Sequence, residues 1–165
     1  MEPRASTVIM LLLLSVLARS QGASAQSSAD TTALATAVGD VIGDSLIPAL
    51  RRGGSLFPHD NRGDPLFLLE PTSPFDAGVT LRLEQAHGLT FMQAELDTAQ
   101  WIVTRGLNLR GDTAAVLVEV GTRRRPGGIH TYIETNRYVF VRATSGWRFI
   151  RREFVRGADA GDVRG

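Results

Sequence analysis

Residues 131–156 read TYIETNRYVFVRATSGWRFIRREFVR. Two β-rich runs, 131–143 and 146–156, flank Thr144-Ser145. A third, 113–121, precedes them across a 122–130 connection that holds Pro126-Gly127-Gly128. Runs of β-branched and aromatic residues bounded by such turns predict an antiparallel meander. A two-residue loop at Thr144-Ser145 aligns Phe140 with Phe149, Tyr138 with Arg151, and Asn136 with Glu153. Because side chains alternate along a strand, one face then carries Trp147, Phe140, Phe149 and Tyr138, grading into Asn136, Arg151, Glu153 and Glu134. The other face carries Val139, Val141, Ile150, Ile133 and Phe154, interrupted by Arg137 and Arg152. Arg137 would oppose Arg152, and such a like-charge pair asks for a bulge or a shifted register.

Upstream, Leu34, Val38, Val41, Ile42, Leu46 and Leu50 recur at spacings of three and four, the apolar stripe of a helix. Ser27-Ser28-Ala29-Asp30 offers N-caps, Arg51 and Arg52 suit the negative end of the dipole, and Gly53-Gly54 can terminate it. Pro48 either ends the regular helix near Ile47 or kinks its last turn. From 55 to 75 the density of Pro, Gly, Asp and Asn predicts loops broken by one short strand at 66–69. Residues 77–87 fit two patterns: Val79, Leu81 and Leu83 alternate as in a strand, whereas Val79, Leu83 and Ala86 share a helix face. Short strands are expected at 89–92 and 101–104, with a polar connection over 93–100. The expected architecture is α+β: an N-terminal amphipathic helix packed on a curved, mainly antiparallel sheet that ends in a three-stranded meander.

The 165 residues include 18 basic side chains, all arginine, against 17 acidic ones, for a net charge of +1. With 43% apolar and 21% charged residues, the chain has the make-up of one globular domain. It contains no cysteine, which excludes disulfides, thiolate metal sites and cysteine nucleophiles. It contains no lysine either, which excludes Schiff-base chemistry and a P-loop lysine.

Residues 1–25 read as a cleavable signal peptide: Arg4, an apolar run from Val8 to Ala18, and Ala23-Ser24-Ala25 before Gln26. The run is shorter than a membrane span, so no stable membrane anchor is expected after cleavage following Ala25. The expected location is secreted or periplasmic, with a single domain over 26–156 and a tail over 157–165. From Gln26 onward the charges are unevenly shared. Residues 26–100 hold 4 arginines and 10 acids, and residues 101–165 hold 12 arginines and 6 acids.

Several side chains are candidates for chemistry. A turn centred on Pro126-Gly127 would bring Glu119 opposite Glu134, and two close carboxylates raise the pKa of one and suit acid–base work. Tyr138 would supply a hydrogen-bond donor. Arg123, Arg124 and Arg125 at a hairpin tip form a candidate anion-binding rim. His59, His87 and His130 lack partners at metal-ligand spacing, so neither a metal site nor a cofactor is expected. Arg-Gly-Asp occurs at 62–64 and 110–112, where turns are expected.

The first helix and the 111–156 meander, with Gly146-Trp147-Arg148-Phe149-Ile150-Arg151-Arg152-Glu153-Phe154 at its end, resemble the cone-shaped α+β superfamily of ketosteroid isomerase, SnoaL-like cyclases and nuclear transport factor two. That resemblance implies a curved sheet around a pocket bordered by Tyr138, Phe140, Trp147, Phe149 and Arg151. No catalytic residue carries over from it. The expected function is an exported binding or accessory domain for a small hydrophobic or anionic ligand, with no nucleic acid as partner. The alternatives are a cofactor-independent isomerase, cyclase or hydrolase using Glu134 or Glu119 with Tyr138, and an envelope protein acting through protein contacts or a homodimer.

Overall fold

A computed structural model describes residues 28–52, 65–92, 98–124 and 130–160. The signal-peptide segment, His59, the first Arg-Gly-Asp and Arg125 therefore lie outside the described residues.

Helix α1 spans Ser28–Arg51. Its stripe residues Leu34, Val38, Ile42, Leu46 and Leu50 are all buried. Five residues at strict i+4 spacing drift around an α-helix by about 40° per step, because a turn takes about 3.6 residues. The helix accommodates that drift with a π-helical stretch at Ile42–Leu46, where the Ile47 N–H donates to the Ile42 carbonyl. Pro48 follows at once and has no N–H to give. The wide turn directly precedes the proline, and the helix continues past it to Arg51, so it does not end near Ile47. By length and composition α1 could cross a membrane, but half of its most apolar window is buried inside the protein. It is the core helix.

Helix α2 (Pro74–His87) resolves the ambiguous segment. Ser73 Oγ accepts the Asp76 N–H at its start, and Gly88 closes it at a φ of 66°, a conformation that suits a residue without Cβ. Val79 and Leu83 are buried, whereas Leu81 is 52% exposed, so the helical spacing decides and the alternation was incidental. Arg82 Nε meets Asp40 Oδ1 at 2.6 Å and ties α2 to α1.

Six strands follow the order β2-β1-β3-β4-β5-β6. They are β1 (Leu66–Leu68), β2 (Thr90–Phe91), β3 (Thr98–Arg110), β4 (Thr113–Arg124), β5 (His130–Ala143) and β6 (Gly146–Ala160). Strand β1 runs parallel to both β2 and β3, and every later pair is antiparallel. The meander has four strands, because β3 is longer than the 101–104 run expected. At the other end, β6 runs on through Ala160, into the segment read as a tail.

The helices cover one face of this sheet. Ile102, Val116, Val118, Val120, Tyr138 and Phe140 lie in one cluster with the α1 stripe and with Val79 and Leu83 of α2. We call this the inner face.

Register shifts interrupt the ladder three times: between Thr104 and Leu107 in β3, and in β6 opposite Val139/Phe140 and opposite Thr135/Asn136. Each inserts one extra residue, on the side away from the helices. Such insertions bend a strand and increase its twist.

Candidate functional site

The register of the β5–β6 hairpin decides which side chains meet. Pairing begins as expected, with Ala143 opposite Gly146 and Phe140 opposite Phe149. Ile150 is then extra, so Arg151 pairs with Val139 and Arg152 with Tyr138. The like-charge contact between Arg137 and Arg152 is avoided, because Arg137 now opposes Glu153, 3.3 Å from its carboxylate. The same shift corrects the expected partners of Tyr138 and Asn136. It also corrects a face assignment: Arg151 and Glu153 leave the aromatic side for the outer face, and Arg152 and Phe154 take their places.

The remaining aromatic residues proposed for a ligand pocket are brought together, with Tyr138 and Phe140 in the core, Trp147 half-buried at its edge and Phe149 37% exposed. Tyr138 is 1% exposed, and Phe140 is fully buried. Phe149 stands against both, with ring centroids 5.9 Å and 5.6 Å away. The Trp147 indole N–H donates to Asp30 Oδ1 of α1 at 3.1 Å, and Arg142 lies over its ring while also pairing with Asp30. This end of the aromatic face is clamped by the helix.

The two candidate carboxylates do not meet. Glu119 pairs with Thr135, and Glu134 pairs with Val120, one residue out of the register a Pro126-Gly127 turn would set. With a side-chain period of two, a one-residue change sends the pair to opposite faces. Glu119 lies on the outer face, 3.5 Å from Arg105. Glu134 is 2% exposed on the inner face, where Asn136 Nδ2 donates to it at 2.5 Å.

Tyr138 shares the inner face with Glu134. Its hydroxyl is buried without a well-formed hydrogen bond. Burial raises its pKa above the ordinary phenol value, the neighbouring Arg152 opposes that rise, and the Glu134 charge adds to it.

Arg123 and Arg124 end β4, where they pair with Thr131 and His130 of β5. The second Arg-Gly-Asp forms the β3–β4 hairpin, with Arg110 paired to Thr113 around Gly111-Asp112.

The outer face carries the feature that sequence periodicity missed. Arg148, Arg151 and Arg156 stand at odd and even positions and would alternate between faces on a regular strand. The two β6 bulges bring all three to one side, opposite Val141, Val139 and Thr135. Arg137, Arg110 and Arg105 face the same way from β5 and β3. Against these six arginines the described residues of this face set two acids, Glu119 and Glu153.

Glu153 is shared: Arg151 Nε lies 2.6 Å away and Arg137 Nη1 3.3 Å away. Arg151 foremost, then Arg137, holds its carboxyl below the usual carboxylate range. Arg110 and Arg148 have no hydrogen-bond or ion-pair partner among the described residues.

A groove of about 480 Å³ opens on this face. Ala115, Leu117 and Val139 line it beside Asn108, Thr113, Arg110, Arg137, Arg151 and Glu153. The arrangement is an aliphatic floor with guanidinium sides and neutral hydrogen-bonding groups at one end, suited to holding carboxylates or phosphates. Its one carboxylate, Glu153, is held by Arg151 and Arg137.

No known protein family, curated protein or solved structure matches the chain.

Proposed function

We propose that the chain is an exported binding domain that takes an anionic ligand on the outer face of its sheet. The observation that carries this reading is the gathering of six arginines against two glutamates on one face, with Arg110 and Arg148 left unpaired among the described residues. Unpaired guanidiniums at a sheet surface attract anions and form charge-assisted hydrogen bonds with them. Export rests on the signal-peptide reading of residues 1–25, and it places the surface outside the cytoplasm, in the periplasm or the medium. The arginine surface replaces the aromatic pocket as the preferred ligand site, because Tyr138 and Phe140 pack as core. The enzyme reading loses its paired carboxylates, since Glu119 and Glu134 project from opposite faces. A protein partner along β6 is the second reading, favoured by Phe154, which is 65% exposed on that outermost strand.

Two measurements test the proposal. Calorimetric titration of the mature protein with inorganic phosphate and citrate at low salt should show saturable binding that weakens in R110Q and R151Q. Binding that is absent, or unchanged in both variants, overturns it. N-terminal sequencing of exported material should begin at Gln26, and a start at Met1 would overturn the export half.

A further inference from the structure

Resting on that reading, we infer that the natural ligand is a linear acidic glycan laid lengthwise along β6. The bulges at 150 and 155 do more than collect charge; they set it in a line. Side chains on one face of a strand recur about every 6.6 Å, so Arg148, Arg151, Glu153 and Arg156 occupy successive places along about 20 Å. The one acidic place, Glu153, is paired with Arg151 of the row and with Arg137 of the adjacent strand, and the three groups together keep one net positive charge. A net-cationic row of that length exceeds any single small anion and matches a chain of repeating charges. The argument favours a sugar acid over a nucleic acid strand. Proteins that bind single strands stack bases on exposed aromatic rings. On this face Trp101 is buried, its indole over Gly121, and the lining of the groove holds no aromatic ring, its apolar floor being Ala115, Leu117 and Val139. Asn108 and Thr113 add neutral hydrogen-bonding groups of the kind that sugar hydroxyls use.

The experiment is a chain-length series on the mature protein: galacturonate oligomers of two, four and eight units, inorganic phosphate, and an octamer of thymidylate. The expected result is an affinity that rises about tenfold or more from the dimer to the octamer, as neighbouring charges bind without further loss of freedom. The salt dependence should have a log–log slope of about −3, reflecting the three to four arginines engaged. R148Q, R151Q and R156Q should each lower octamer affinity and flatten that slope. R152Q removes the same charge from the next residue but from the opposite face, and it should change neither; circular dichroism verifies that all four variants fold. Equal affinity for dimer and octamer overturns the linear ligand while leaving anion binding intact. Tighter binding of the thymidylate octamer overturns the glycan and assigns a nucleic acid instead. No binding of any anion overturns both this inference and the proposed function, and the β6 arginines then serve only to keep an exposed strand from pairing.

Discussion

Asp30 and Trp147 are 117 positions apart and share a 3.1 Å hydrogen bond, indole Nε1 to carboxylate Oδ1, with Arg142 closing on the same carboxylate. One side chain of the first helix thereby holds the last hairpin. Replacing Asp30 with alanine removes both contacts and leaves the Trp147 N–H without its acceptor. The group is partly exposed, so the loss should be about 1–2 kcal/mol and no more. Urea denaturation followed by tryptophan fluorescence measures it, and the Trp147 contribution to the native emission, beside that of the buried Trp101, should move to the red.

Gly43 sits in the wide turn of α1, where a Cβ would fall 1.8 Å from Nε2 of His87. Gly43→Ala should therefore destabilise the protein by about 1–3 kcal/mol through overpacking, despite alanine's better helix propensity. The double substitution with His87→Ala should recover most of the loss. Thermal melts of the single and double variants are sufficient, and a harmless Gly43→Ala would show that the imidazole swings away freely.

Tyr138→Phe removes a buried hydroxyl that has no well-formed partner. Stability at pH 7 should stay within about 0.5 kcal/mol of the parent or rise. The alkaline limb should also change. Since the folded pKa of Tyr138 is raised, its contribution is complete below the unfolded value near 10 and is lost as pH climbs through the higher folded one. The phenylalanine variant should lack that component as pH climbs above about 10.

Ile150 is the extra residue of a bulge, so its deletion leaves Phe149 opposite Phe140 and Arg151 opposite Val139. The variant should fold and keep Arg148 and Arg151 on one face. A straightened outer strand is, however, a better template for another chain, because bulges and charges are what protect such edges. Sedimentation velocity should show concentration-dependent association in the deletion variant and a monomer in the parent.

The parts of the fold read directly from the residues are those where a period dominates. Leu34 to Leu50 announced α1, the runs around Tyr138 and Phe149 announced the hairpin, and the improbable Arg137–Arg152 contact announced a bulge. Residues 77–87 were undecidable because Val79 and Leu83 satisfy both periods, and only the exposure of Leu81 separates them. The Glu119–Glu134 pairing failed because hairpin register depends on the loop, and one residue there exchanges faces. The arginine row was hidden for a related reason. Its members stand three and five positions apart, spacings that no regular strand places on one side, so only the bulges reveal them.

The clamp between α1 and the β5–β6 hairpin also sets an order of events. Chains are made from the N-terminus, and the apolar stripe from Leu34 to Leu50 has its sheet partners mainly between Ile102 and Phe140. The helix therefore emerges long before the surface that will bury it, and Asp30 waits for Trp147 until most of the chain has been synthesised. A protein arranged in this way completes its core near the end of its own production, and its first helix is the part most in need of a holding partner until then.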